Sequence, residues 1–143
     1  MTLTAGPASE EEATLYYAGL PSRPRLVYRS STTPWALPPD GRPREKELYG
    51  ATTHKLNKVW DELAPKVVRL FDDKKVQFTS IDIVRFQVED DPIGPPVIWV
   101  GVAPDTVTSE QAKVVADGCL SLLHDAGIDD VEVEFRVSVV WLL

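Results

Sequence analysis

Residues 96–139, PVIWVGVAPDTVTSEQAKVVADGCLSLLHDAGIDDVEVEFRVSV, decide the fold, because a strand, a helix and a second strand follow one another with clear punctuation between them. Val97–Ala103 is apolar on both faces, as a central strand requires, and Pro104 ends it. Thr108 stands at a helix N-cap with Gln111 at the reciprocal capping-box position, which satisfies two otherwise unpaired backbone donors. Ala112, Val115, Ala116, Cys119, Leu122, Leu123 and Ala126 then recur at helical spacing, and Gly127 closes the helix. The last strand alternates: Val131, Val133, Phe135, Val137 and Val139 point inward, with Glu132, Glu134, Arg136 and Ser138 outward.

Working back from this unit, Asp90–Pro96 reads as a turn, and Val76–Glu89 as a long strand that forms a hairpin with Val97–Ala103. Thr53–Asp73 reads as a helix whose stripe is Leu56, Val59, Trp60, Leu63, Val67, Leu70 and Phe71. Pro65 interrupts its hydrogen bonding but not the phase of the stripe, which predicts a kink rather than a break. Pro34, Pro38, Pro39 and Pro43 make residues 30–50 an extended loop, with Trp35, Leu37, Leu48 and Tyr49 available to pin it down. Loops beyond about 12–15 residues are uncommon in compact domains and are usually functional or mobile. Arg25–Arg29 is a short first strand, and ATLYYAGL adds one helical turn ending at Gly19.

The expected fold is therefore α+β with β-α-β-β-α-β order. This is the ferredoxin-like, split β-α-β arrangement: a four-stranded antiparallel sheet, both helices on one face, and a long connection between the first strand and the first helix. Residues 1–14 are expected to be a disordered acidic tail and 15–143 a single domain, with the opposite sheet face open unless the 30–50 loop covers it. At 143 residues a working core needs neither disulfide nor metal. One cysteine excludes an internal disulfide, and no apolar run approaches the roughly 20 residues of a membrane span. The first 13 residues carry three glutamates where a signal peptide needs a basic and an apolar region, so a cytoplasmic or nuclear location is expected.

The net charge of −7 is uneven: residues 1–20 carry −3, residues 21–60 carry +5 and the remainder −9. The simplest account is a basic segment packing on an acidic body of the same chain; the sharper one is an anion-binding segment. Arg25, Arg29, Arg42 and Arg44 with Trp35 are the candidate ligand-binding residues, since guanidinium forks hold phosphate or carboxylate and an indole can stack on a flat ligand. Nucleic acid is not the expected partner, because the body is acidic and PVIWVGVAP lacks the aromatic and basic pattern of an RNA-reading strand.

Nothing else in the sequence carries a reactive pattern. His54 and His124 lie near helix ends without metal-ligand spacing. Cys119 sits in the apolar stripe, and five-residue spacing turns it away from His124. The acidic runs Asp72-Asp73, Glu89–Asp91 and Asp129-Asp130 fall at turns and lack calcium-loop spacing. The glycines form no phosphate-binding loop, so neither cofactor nor metal is expected.

The stretches YYAGLPSRPRLVYRSSTTPW, HKLNKVWDELAPKVVRLFDDKKVQFTSIDIVRF and PVIWVGVAP resemble the N-terminal region of a group of uncharacterised basidiomycete fungal proteins, over most of the chain from Leu15 to Val140. Longer members look as though they continue into a trypsin-like region with a histidine motif of the TARHVV type. That motif has no counterpart here, so no catalytic residue carries over. The resemblance implies an accessory or regulatory domain. The leading expectation is a non-enzymatic interaction domain that meets a protein partner or its own copy through a sheet edge or the apolar end Val139–Leu143, with a small-ligand or anion-binding domain as the alternative.

Overall fold

A computed structural model describes residues 7–51 and 53–138. In chain order the elements are α1 (Glu10–Leu15), β1 (Leu26–Arg29), β2 (Lys46–Gly50), α2 (Leu56–Asp73), β3 (Ser80–Val88), β4 (Pro96–Val102), α3 (Ser109–Asp125) and β5 (Glu132–Val137). The α+β class is as expected; the sheet is not. Among the described residues it has five strands in the order β1-β5-β4-β3-β2, and β4 runs parallel to β5 while the other pairs are antiparallel.

Two corrections follow, each with a physical cause. In the ferredoxin-like order the first strand lies inside the sheet, whereas here β1 is an edge. Its pairing with β5 is only four residues long and slips between Leu26 and Tyr28, an irregularity that suits an edge. The crossover through α3 therefore returns the chain directly beside β4, and adjacent strands joined by a crossover helix run parallel. The second correction concerns the 30–50 loop, whose end forms β2. All its prolines lie at or before Pro43, so Lys46–Gly50 keeps every N–H needed to pair with Val84–Val88.

Both long helices lie on one face of the sheet. There Leu56, Leu63, Val67 and Phe71 of α2 and Ala112, Val115, Ala116, Cys119 and Leu123 of α3 pack on Ile98, Val100, Val102, Val133 and Phe135. Helix α2 runs unbroken through Pro65. The capping box of α3 forms as the sequence predicts: Gln111 N–H donates to Thr108 Oγ1 at 3.1 Å and Thr108 N–H to Gln111 Oε1 at 2.9 Å.

The opposite face is covered, and not chiefly by the 30–50 loop. Residues read as a disordered tail form α1, which Ser9 caps, and the chain after it lays Tyr17 and Leu20 on Val84, Phe86, Val97 and Trp99. Gly19 makes this cover possible. Its φ is +96°, and a Cβ there would stand 2.7 Å from the backbone N and O of Lys46. That close approach lets Lys46 N–H donate to Ala18 O at 2.7 Å, which joins the cover to β2. Residues 139–143, with the expected apolar terminus, lie outside the described residues. Among the described residues no helix is long and apolar enough to cross a membrane.

Candidate functional site

The alternation of β5 places Glu134 and Arg136 on the covered face, opposite Val133 and Phe135. The pattern alone points them to water; α1 and the turn after it bury them instead. Both carboxylate oxygens of Glu134 are occupied, by Tyr17 OH at 2.7 Å and Tyr16 OH at 2.9 Å, and Trp99 Nε1–H donates to Tyr17 OH at 3.0 Å. Burial raises the Glu134 pKa, against the opposing pull of the two phenol hydrogen bonds and of Lys46. Burial, then the charge of Glu134, pushes both tyrosines well above the usual phenol range. Tyr17, Phe86 and Trp99 fill the space between with tilted and edge-on ring contacts of 5.3–5.7 Å.

Lys46 completes this network from β2. Its ammonium donates to Tyr16 O and sits 3.4 Å from the Tyr16 ring centroid. Burial pulls its pKa down to about 8, partly offset by Glu134. Tyr16, Tyr17, Trp99, Lys46 and Glu134 thus satisfy one another and tie the α1 segment to three strands.

Two clefts flank the network on this face, and a third lies in the loop. One, of about 430 Å³, is lined by Arg23, Arg25, Trp99, Arg136 and Ser138 among others. A second, of about 270 Å³, brings together Arg29, Trp35, Arg44, Lys46 and Tyr16. A third, of about 530 Å³, holds Arg42 with Arg44, Asp40, Glu45 and Glu89.

The five ligand-site residues proposed from sequence are therefore split. Arg29, Trp35 and Arg44 share the second cleft, Arg25 lines the first, and Arg42 meets only Arg44, in the third. Three of the arginines are held by carboxylates of the same chain: Arg25 by Glu10 in a two-pronged pair at 2.8 and 2.5 Å, Arg29 by Glu12 at 3.2 Å, and Arg44 by Asp91 at 2.9 Å and Glu89 at 3.3 Å. Only the Arg44 pairs join the basic segment to the acidic body as the charge distribution suggested; Arg25 and Arg29 take their carboxylates from α1.

Sequence reasoning missed Arg23, Lys46 and Arg136. The available signal was the polar row Glu134 and Arg136 on a strand next to the all-apolar β4, since a strand packed so centrally has both faces covered. Arg136 lies 3.5 Å from the Trp99 ring centroid, and burial lowers its pKa from the usual guanidinium value. Its Nη2 reaches Ser80 Oγ at 3.3 Å and Asp82 Oδ2 at 3.5 Å, while its buried Nη1 has no hydrogen-bond partner among the described residues.

The remaining candidates take structural places. His54 Nδ1 accepts from Leu56 N–H at 3.0 Å, at the start of α2, and its Nε2 meets both Asp130 oxygens at 2.9 Å. That pattern assigns the proton to Nε2 in the neutral ring. Cys119 is buried between helix and sheet, and burial raises its thiol pKa to about 12, so it packs as a hydrophobe. Among the described residues no three His, Cys, Asp or Glu side chains are grouped to hold a metal ion. Comparison of the chain with protein-family models, with curated proteins and with solved structures finds no match.

Proposed function

We propose that this chain is a non-enzymatic interaction domain that pairs with a second copy through the outer edge of β2. The observation that carries the reading is the exposure of that edge: Glu47–Gly50 is exposed at every residue, with Leu48 at 47% and Tyr49 at 38%. An edge strand with apolar side chains in water is a template for another strand. Lys46 N–H already points away from β3, toward Ala18 O, so the two-residue alternation turns the N–H of Leu48 and Gly50 outward as well. At the other edge, Leu26 and Tyr28 of β1 are buried.

Two-fold antiparallel pairing centred on Tyr49 sets Leu48 against Gly50 of the copy, leaves Lys46 with Ala18 and opposes no like charges. Such a role matches the accessory domain that the fungal resemblance implies. Light scattering coupled to size-exclusion chromatography tests it. A concentration-dependent dimer is expected, which Leu48→Pro abolishes by removing an outward N–H while leaving the ladder to β3 intact. A strict monomer at high concentration, or a dimer indifferent to Leu48→Pro, refutes the reading.

A further inference from the structure

The cleft lined by Arg23, Trp99 and Arg136 has a second property, independent of strand pairing. We propose that the cleft over Trp99 binds a small oxyanion, a phosphate or carboxylate group, with Arg136 as its inner anchor and Arg23 at its rim. Three observations converge on it.

The first is an incompletely compensated cation. The Arg136 side chain is 9% exposed, yet its contacts to Ser80 Oγ and Asp82 Oδ2 are 3.3 and 3.5 Å. A strong guanidinium–carboxylate hydrogen bond is shorter, about 2.7–2.9 Å, and Asp82 is itself 55% exposed. Nη1 has no hydrogen-bond partner among the described residues, so the guanidinium keeps unused donor capacity. A buried donor left in that state is costly, and a charged one more so.

The second is the sign of the surroundings. In a chain of net charge −7, the cleft is lined by three arginines and no acidic side chain. Arg25 is engaged by Glu10, but Arg23 makes no ion pair among the described residues.

The third is the room and the donors beside the cation. Ser80, Gly101 and Arg136 form one row across β3, β4 and β5. A Cβ at Gly101 would lie within 2.8 Å of Ser80 Oγ, Thr79 Oγ1 and Ser138 Cβ, so the glycine leaves room for Ser80, whose hydroxyl meets Arg136 Nη2, and for Ser138, which lines the cleft. The volume of about 430 Å³ exceeds a phosphate or carboxylate alone and leaves room for the molecule that carries it.

The test is titration of the full chain with inorganic phosphate and, separately, with acetate, against sodium chloride at matched ionic strength, followed in ¹⁵N–¹H spectra that include the arginine side chains. A saturable shift centred on Arg136, Arg23 and Trp99 is expected with at least one of the two anions, and the stronger identifies the group. Arg136→Lys keeps the charge without the planar fork and should weaken binding by about tenfold or more. Arg23→Gln changes an exposed rim residue, leaves the fold intact and should weaken it by about fivefold. Absence of a saturable shift with both anions overturns the proposal. So does a shift that Arg23→Gln leaves unchanged, or one centred on Arg29 and Arg44. Leu48→Pro should not alter the titration, which separates this site from the strand edge.

Discussion

The two faces of the sheet are stabilised by different physics. Beneath α2 and α3 the contacts are apolar and non-directional, with Phe71, Ile98, Val100 and Phe135 fully buried. Beneath α1 and the turn after it, an aromatic cluster surrounds a carboxylate, an ammonium and a guanidinium, each buried. The first face needs only hydrophobic side chains of about the right volume. The second needs particular atoms opposite particular atoms, because each buried polar group is costly once its partner is removed. Position-specific chemistry is therefore concentrated on one side of this molecule.

The comparison can be broken most forcefully from the helix side. Phe135→Ala empties the space against Phe71 and should lower the unfolding free energy by about 3–5 kcal/mol in urea titration. On the other side, Glu134→Ala leaves the buried Tyr17 hydroxyl and the half-buried Tyr16 hydroxyl without an acceptor and should cost about 3 kcal/mol. Adding Tyr16→Phe to Glu134→Ala should recover part of that loss, since one stranded donor is then gone; Tyr17 is kept because its oxygen accepts from Trp99 Nε1–H. Failure to recover would show that packing, not hydrogen bonding, governs both faces.

The smallest expected effect concerns Lys46. Its folded pKa of about 8 lies below the ordinary 10.5, so between these values the unfolded chain binds more protons than the folded one. Its contribution to stability therefore rises from pH 8 toward pH 10.5 and is lost as pH falls through 8, with about 3 kcal/mol as the upper bound. Lys46→Met keeps the apolar stem and should flatten this rise in denaturation curves recorded across the window. Tyr16 and Tyr17 titrate in the opposite sense above pH 10, so the difference between variant and native chain is the quantity to read.

The helix face was legible in the sequence because its signals are local. The Thr108–Gln111 capping box, the stripe of α3 and the alternation of β5 can each be read within a dozen residues. The covered face was not legible, because its bonds join residues far apart in the chain, such as Tyr17 and Glu134 at a separation of 117. Nothing in the pair Tyr16-Tyr17 names a distant carboxylate as its partner. The parallel β4–β5 pair was missed because a crossover helix of this length serves equally to reach an adjacent strand or one further away. β2 was missed because Glu47–Gly50 is exposed throughout, leaving no alternation to read. For the ligand residues, composition found the arginines but could not tell which already had carboxylates; Arg25, Arg29 and Arg44 do.

The position of β5 has a further consequence, for the order of events during synthesis. This last strand lies between β1 and β4, so β1 has no neighbour in the sheet until residues 132–137 have been made. The α1 segment likewise gains Glu134 only at that moment. A nascent chain arrested before residue 132 can close the β2-β3-β4 ladder and seat Tyr17 and Leu20 on it, but Leu26–Arg29 then has no strand to pair with. During synthesis β1 is thus made before every other strand of this sheet and is among the last to find its place.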